Sequence, residues 1–260
     1  WINDGEAPFD LWPVDIRRFG SAHRDASFVA TRTCEAYGRH YTIAWPALES
    51  ESGRPLLRSP LYAQLSKAGA CFGEKLGWER ANWFADTTHG ETPVDQYSMG
   101  RPAWFDAVGR EHHAARNAVV LVDQSSFAKY ELMGPDAHRV LTWLCAADVD
   151  KPVGSIVYTQ LLNDSGGIEC DLTVTRKDEQ SFYLVTGTGF VTHDFDWIKR
   201  SVPADADIQL ADVTSDYVVL SLMGPTSRRI FESATDVDVS NAAFPFGTAQ
   251  LVSIAGAPVW

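Results

Sequence analysis

The 260-residue sequence lacks most of the features by which metal-binding, disulfide-linked or membrane-spanning proteins are recognised. Its four cysteines are widely spaced and form no CxxC pair; they are Cys34, Cys71, Cys145 and Cys170. Neither a disulfide framework nor a cysteine-based metal site is therefore expected, and a reducing compartment fits best. The histidines show no HxH or HExxH spacing, so metal ligation is not expected from them either. No run of about 18 apolar residues exists, so no membrane span is predicted.

Positive charge is also scarce, because 22 Lys and Arg stand against 34 Asp and Glu and the net charge is −12. An acidic chain without a basic patch in its sequence cannot neutralise phosphates, which argues against a nucleic-acid partner. No GxGxxG or P-loop motif is present, so the chain is not expected to hold a flavin on its own. The sequence does contain 45% hydrophobic and 12% aromatic residues, the composition of a globular protein with a sizeable core.

The first hundred residues divide into three zones by composition. Residues 1–20 are rich in Pro, Asp and Trp and are predicted to form an extended tail. Residues 21–85 are predicted to be mainly helical with Gly and Pro breaks, including a helix through 65–70 that follows Pro60. Residues 86–98 are polar, contain Gly and Pro, and predict a linker.

Both ends of the sequence have an unusual character. The chain begins with Trp1 rather than Met, and it ends within an apolar run, 252–260. We expect both ends to be cuts within a longer protein.

From residue 104 onward, helical and strand patterns mix. Predicted helices span 104–119, 136–146 and 191–201, and predicted strands span 128–133, 155–162, 168–175, 182–186 and 217–223. The Gly-rich turn at 163–167 joins two of these strands and predicts a hairpin. The fold class predicted from this pattern is α+β.

An internal repeat supports a pseudo-symmetric arrangement. The segment ELMGPDAHRVL at 131–141 is similar to SLMGPTSRRIF at 221–231. In each copy a strand-like run ends in Met-Gly-Pro, and a capping residue, Asp136 or Thr226, precedes a helix. We expect two related β–α units, about 90 residues apart.

The strand at 168–175 contains the main candidate for chemistry. Alternation places Ile168, Cys170, Leu172 and Val174 on one face and Glu169, Asp171 and Thr173 on the other. Aspartate is disfavoured in mid-strand, so a local reason for it is expected. A carboxylate that faces a pocket could accept ligand N–H groups or handle a proton. An ordinary exposed strand face bearing two acids is the alternative.

Tyr158 lies on the partner strand of the same hairpin. If the hairpin is centred between Asp164 and Ser165, Tyr158 stands opposite Asp171 on the same face. A slip of one residue would pair it with Leu172 and turn it toward the core. The sequence leaves both registers open.

Several long segments resemble a known enzyme family. Those at 10–20 (DLWPVDIRRFG), 37–62 and 69–84 (GACFGEKLGWERANWF) are similar to the region that follows the flavin domain in dimethylglycine and sarcosine dehydrogenases. Those at 123–137, 157–175 (VYTQLLNDSGGIECDLTVT) and 241–250 resemble the folate-binding region of the same family, which is related to the glycine-cleavage aminomethyltransferase (GcvT, or T-protein).

The resemblance implies a GcvT-like folate-binding fold and a set of site residues. The catalytic Asp of the family motif GGxxxD falls on Asp171, which would bind the pterin side of tetrahydrofolate and assist proton movement at the reacting nitrogen. Tyr158 and Tyr183 match aromatic contacts, Phe127 matches an apolar wall position, and Thr173 lies on the same strand face.

The resemblance also implies cofactors, partners and a location. The parent enzymes oxidise an N-methyl amine with FAD, held in a domain that would precede this chain, and pass the one-carbon unit to tetrahydrofolate. The expected partners are the small amine substrate, folate and that flavin domain in cis. The expected location is bacterial cytoplasm or, in a eukaryote, the mitochondrial matrix.

Two departures from the family pattern limit what the chain itself could do. T-proteins often carry Asn after the Tyr183 strand, where this chain has Gly187, and the later Gly-Glu motif of the family would lie beyond Trp260. The predicted division is therefore a flavin-domain tail at 1–20, a central linker region at 21–90, and the first part of the folate domain at 91–260. A stand-alone folate-binding module and a domain that has lost folate are the alternatives.

Overall fold

The computed structural model describes residues 9–260. The helices are α1 Ala26–Arg39, α2 Tyr62–Lys67, α3 Phe105–Asn117, α4 Ala137–Leu144, α5 Val191–Ser201 and α6 Ser227–Glu232. The strands are β1 Ala70–Lys75, β2 Trp78–Phe84, β3 Val120–Asp123, β4 Ala128–Met133, β5 Ile156–Leu162, β6 Ile168–Arg176, β7 Ser181–Thr186, β8 Gln209–Asp212, β9 Leu220–Met223, β10 Val252–Ile254 and β11 Ala257–Val259.

The N-terminal segment is not the extended tail that composition predicted. Its described part forms short 3₁₀ turns at Trp12–Val14 and Ile16–Arg18, and residues 1–8 lie outside the described range. The side chain of Asp15 accepts the backbone N–H of Arg17 at 2.8 Å, so local side-chain capping competes with extended backbone here.

The prediction of a mainly helical segment at 21–85 is wrong in its second half. The predicted helix at 65–70 ends at Lys67, and the chain then forms the antiparallel β1–β2 hairpin. Gly69 and Gly77 have φ values of +90° and +85°, a left-handed backbone that stops a helix and makes a tight turn. Charged residues interrupt the apolar pattern of these strands, which hid them from sequence analysis.

The main sheet has five strands in the order β5-β6-β7-β4-β8, and every neighbouring pair is antiparallel. One face packs against α4 and α5, because alternate strand residues are apolar. Its core members include Tyr130, Leu132, Leu172, Phe182 and Leu184, all 2% exposed or less. The opposite face is mostly polar, and on β6 it carries Asp171 and Thr173, as the alternation of that strand predicted, so the sheet separates a core from a candidate site.

The two copies of the predicted repeat adopt the same local structure at the Met-Gly-Pro turn. Gly134 and Gly224 both have positive φ, and each is followed by a short helix, α4 or α6. In the first copy the N–H of Asp136 donates to the carbonyl of Asp207; in the second, Thr226 donates to Ala118 in the same way. Neither Asp136 nor Thr226 caps its helix with its side chain, contrary to the expected role.

A second small sheet pairs β3 with β9. Neither β3 nor β8 was predicted, because each has only four residues and partners far away in the chain. The helix predicted at 104–119 ends at Asn117, and the strand predicted at 217–223 is limited to β9. Among the helices of residues 9–260, none has the length and apolar character needed to cross a membrane.

Candidate functional site

Asp171 lies in the middle of β6, exposed on the polar face of the main sheet. Its neighbours along the strand, Cys170 and Leu172, are only 1–2% exposed on the core face. Gln160 on β5 donates from Nε2 to Asp171 Oδ1 at 3.2 Å. The carboxylate is therefore oriented by one neutral amide and remains open to a ligand.

The register of the β5–β6 hairpin differs from both expected alternatives. Tyr158 pairs with Thr173, and Gln160 pairs with Asp171. The pairing is displaced by two residues from the first alternative, which moves Tyr158 along the strand but leaves it on the face of Asp171. A bulge between Leu161 and Leu162 accounts for one residue of this displacement, and Ile168 beside it is 67% exposed instead of joining the core.

Tyr158 and Asp171 are diagonal neighbours on this face. The Asp171 carboxylate raises the pKa of the Tyr158 hydroxyl, because it favours the protonated phenol that can direct its hydrogen at the carboxylate. The Tyr158 side chain is 63% exposed. An aromatic ring and a carboxylate thus stand next to each other with no protein covering them among the described residues.

Thr173 and Tyr183 lie on the same face, toward the far end of β6 and β7. Thr173 is half-buried and pairs with both Tyr158 and Val185. Burial raises the pKa of Tyr183, whose ring meets Tyr217 edge-on with centroids 5.4 Å apart. Tyr183 is therefore part of a packed aromatic pair as well as a member of the polar face.

A charged cluster adjoins this pair and was not foreseen. Lys177 Nζ lies 2.6 Å from Glu131 Oε1, and the Tyr217 hydroxyl donates to the same oxygen at 2.9 Å. Burial opposes the ionisation of Glu131, but these donors outweigh it and its pKa is lowered. Alternation along β4 was the signal that could have placed Glu131 on this face.

Phe127 precedes β4, and its place follows from strand register. Ala128 pairs with Thr186, which pairs with Leu172. One step further, the same register aligns Phe127, Gly187 and Asp171 in one row across the sheet. Gly187 has no side chain, and a Cβ at this position would lie 3.5 Å from Cδ2 of Phe190, so the Phe190 ring borders the middle of the row.

Behind the sheet, the core-facing end of β6 meets α5 in a buried polar cluster. Atoms of Cys170, His193 and Asp194 lie within 4.8 Å of one another. Asp194 is 1% exposed; it accepts from Thr186 Oγ1 at 2.6 Å and lies 2.9 Å from His193 Nδ1. Neighbouring donors thus satisfy the carboxylate, and burial strongly raises the pKa of the Cys170 thiol. Sequence spacing gave no sign of this grouping.

A cavity of 1450 Å³ opens beside the row that ends at Asp171. Its wall includes Phe127 and residues 187–190, together with the N-terminal segment and the β1–β2 hairpin. Asp171 and Tyr158 are not part of that wall, so the cavity adjoins the predicted site and does not contain it.

Comparisons with known proteins agree with this architecture. A family model described as the GCVT N-terminal domain matches residues 61–260, and one described as the FAD dependent oxidoreductase central domain matches residues 4–59. A solved structure, the glycine cleavage system aminomethyltransferase T from Bartonella henselae, superposes with a TM-score of 0.56 at 26% identity. It covers 68% of this chain and 43% of its own, and the GcvT-like fold prediction is confirmed.

Curated relatives match almost the full chain. A 4-methylaminobutanoate oxidase (formaldehyde-forming) of Paenarthrobacter nicotinovorans is 40% identical over 98% of the chain, and mitochondrial sarcosine dehydrogenase of Mus musculus is 34% identical over 98%. A mitochondrial pyruvate dehydrogenase phosphatase regulatory subunit of Mus musculus is 32% identical over 94%. The chain spans about a third of the length of these relatives: 31%, 32% and 28%.

The family resemblance seen in the sequence is thereby confirmed along the chain. The central oxidoreductase domain and the GCVT domain follow each other in the order that the resemblance implied. The chain belongs to the GCVT N-terminal domain family, in the group that contains the mitochondrial sarcosine and dimethylglycine dehydrogenases.

Proposed function

We propose that this chain forms the tetrahydrofolate-binding part of an FAD-dependent enzyme that demethylates an N-methyl amino acid. The one-carbon unit would pass to tetrahydrofolate and give 5,10-methylenetetrahydrofolate. The observation that carries the proposal is the exposed Asp171 carboxylate beside Tyr158 on an open polar sheet face.

The site has the groups that a reduced folate requires. A flat heteroaromatic ring with N–H donors suits a carboxylate that accepts hydrogen bonds and an aromatic ring that contacts the ring face. Bound folate supplies the nucleophilic nitrogen that accepts the one-carbon unit. Asp171 would accept the proton released at that nitrogen, and Gln160 would hold the carboxylate in place through its 3.2 Å hydrogen bond. Tyr158, Thr173, Tyr183 and Phe127 would contact the folate.

FAD would lie outside this chain. The match to an FAD dependent oxidoreductase central domain supports a flavin partner in cis, and the residues of this chain offer no dinucleotide fingerprint to hold one. We also propose the division given by the sequence, with a tail at 1–20, a linker region at 21–90 and a folate domain at 91–260, and with cytoplasm or mitochondrial matrix as the location.

The relative named as a regulatory subunit favours one alternative. A 32% identical protein with that name indicates that this architecture also occurs outside oxidoreductases. The alternative is a binding or structural module without turnover. It predicts no formation of methylenetetrahydrofolate in the protein that carries this chain.

The test is Asp171→Asn in the protein at its natural length. We expect the rate of methylenetetrahydrofolate formation to fall by roughly 10²–10⁴-fold, because the proton acceptor is lost. The dissociation constant of tetrahydrofolate should change by less than about threefold, because the amide is isosteric. Rates are measured by product analysis and affinity by calorimetry.

The matched control is Asp164→Asn, an exposed aspartate in the turn of the same hairpin. It should leave both quantities unchanged. No tetrahydrofolate affinity in the unaltered protein would remove the folate proposal, whereas full activity of the Asp171 variant would remove only the assigned proton transfer.

A further inference from the structure

We propose that the 1450 Å³ cavity beside the Asp171 row binds a carboxylate group of a ligand. The cavity is bounded by the N-terminal segment, by the turn of the β1–β2 hairpin, by residues 187–190 and by Thr192. The inference rests on the proposed folate-dependent function and adds a second binding site to it.

The charge of the cavity wall is opposite to that of the chain. The whole sequence has a net charge of −12, yet among residues 9–260 this wall carries six Arg and Lys residues and a single carboxylate, Glu74. The six cationic residues are Arg17, Arg18, Arg24, Arg32, Lys75 and Arg80. A partly enclosed surface of one charge sign concentrates ions of the opposite sign.

Most of this positive charge is not neutralised within residues 9–260. Arg17 pairs with Asp15, and Arg32 pairs with Glu74 at 2.8 Å. The remaining four, Arg18, Arg24, Lys75 and Arg80, have no carboxylate within 4.0 Å in the part of the chain that the structure describes. They are available to an anion.

Two buried polar atoms at the wall also have no partner. His23 is 9% exposed, and its Nδ1 makes no hydrogen bond to any described residue. Arg18 Nε is buried and equally without a partner, while its guanidinium lies 4.7 Å from the Phe19 ring centroid. Buried polar atoms are normally hydrogen-bonded, so both atoms are exceptions at this wall.

The cavity wall reaches the folate row directly. Phe127 and Gly187 belong to both, and the Arg80 guanidinium lies 5.8 Å from the Phe127 ring centroid. Asp171 is two strands from Phe127, a separation of about 10 Å. An elongated ligand could therefore meet Asp171 at one end and the cationic wall at the other.

Two carboxylates are candidates under the proposed function. One is the glutamate end of tetrahydrofolate, whose ring end would lie at Asp171. The other is the carboxylate of the N-methyl amino acid. Both ligands present a carboxylate to Arg80 and Lys75. Measuring folate affinity and amino acid kinetics separately tells which ligand supplies it.

The experiment uses Arg80→Gln and Lys75→Gln in the protein at its natural length. Calorimetry compares tetrahydrofolate with 6-methyltetrahydropterin, which keeps the ring system and lacks the glutamate. Kinetics give KM for N-methylglycine. Arg229→Gln, an exposed arginine on α6 far from this wall in sequence, is the matched control.

If the glutamate end binds here, each variant weakens tetrahydrofolate by about tenfold and leaves 6-methyltetrahydropterin unchanged. If the amino acid binds here, KM for N-methylglycine rises by a similar factor and folate affinity stays constant. The inference is overturned if the Arg80 and Lys75 variants match the Arg229 control in both tetrahydrofolate affinity and KM for N-methylglycine. Loss of folate affinity in the unaltered protein would instead overturn the proposed function. Lys75 is exposed, so its variant reports on binding even if the half-buried Arg80 variant folds poorly.

Discussion

At the scale of single residues, the complete burial of Lys129 is the feature that its own sequence neighbourhood least indicates. Lys129 lies in mid-β4 and is 0% exposed, although lysine is almost never fully buried without a partner. Its Nζ donates to the Ser125 carbonyl at 2.6 Å. Burial lowers the pKa of Lys129 from 10.5 to about 8, with partial compensation from Asp212 and Asp123.

This lowered pKa predicts a stability that rises at alkaline pH. Between about pH 8 and 10.5 the unfolded chain binds a proton that the folded chain does not, so the free energy of unfolding increases with pH there. The total gain is on the order of 3 kcal/mol, from about 1.4 kcal/mol per pKa unit. Urea unfolding across this range measures it.

Lys129→Met should flatten that dependence and stabilise the protein near pH 7. Lys199→Met, at an exposed position on α5, is the control and should leave the dependence in place. An unchanged alkaline rise in the Lys129 variant would show that another group causes it.

Sequence reasoning reached individual site residues only where one strand determined their face. Asp171, Tyr158 and Thr173 lie on one face because alternation within a hairpin keeps parity even when the register moves by two. Lys129 and Asp194 were missed, because their burial depends on elements far away in the chain. Local propensity carries no information on such tertiary contacts.

At the scale of elements, α5 is joined to the Asp171 strand by a polar chain. His193 Nδ1 meets Asp194, Asp194 accepts the Thr186 hydroxyl, and that hydroxyl also lies 3.3 Å from the Asp171 carbonyl. The Trp12 ring of the N-terminal segment contacts His193 edge-on at 4.8 Å. These hydrogen bonds therefore couple the position of α5 to the position of the Asp171 strand.

The raised pKa of His193 predicts a stability that falls as pH rises, opposite to the effect of Lys129. The pKa of His193 is raised above 6.5, first through the hydrogen bond to Asp194, against the effect of burial, and further by the charges of Glu169 and Asp10. Its stabilising contribution is complete below pH 6.5 and is lost as pH rises through the raised pKa. Denaturant unfolding of His193→Gln should lack this decline, while the exposed His112→Gln should keep it.

Elements with strong local patterns were predicted and short ones were not. The bounds of β4 and α5 match the predictions because each has a clear period and a clear end. The β1–β2 hairpin, β3 and β8 were missed, since two are only four residues long and all contain charges. Their pairing partners, and not their own sequences, make them strands.

At the scale of the whole molecule, the two repeat units exchange strands. β3 immediately precedes the first unit yet pairs with β9 of the second, and β8 immediately precedes the second unit yet pairs with β4 of the first. Each Met-Gly-Pro turn packs against the exchanged chain. An added Cβ on Gly134 would lie 2.5 Å from the Asp207 carbonyl, and one on Gly224 would lie 2.5 Å from that of Ala118.

This exchange predicts that damage to either turn weakens both sheets together. Gly134→Ala and Gly224→Ala should each cost about 1–3 kcal/mol, because positive φ and a backbone clash coincide. Unfolding should remain a single transition in both variants. Gly109→Ala, in α3 with open space around it, should be neutral or stabilising by up to about 1 kcal/mol. Two separate transitions by circular dichroism and tryptophan fluorescence would contradict the coupling.

The exchanged strands also give the fold the topology of a domain-swapped dimer whose two copies have become one chain. In such a dimer each partner completes the other's sheet. Here the chain segment that joins the two units is not needed for the exchanged strands to pair. A proteolytic nick in the connection at 202–208 would leave two fragments, one lacking β8 and the other lacking β3. The five-stranded sheet and the β3–β9 sheet would each be divided between the two fragments, so the nicked protein would stay together as a single particle and could be reassembled from its two halves.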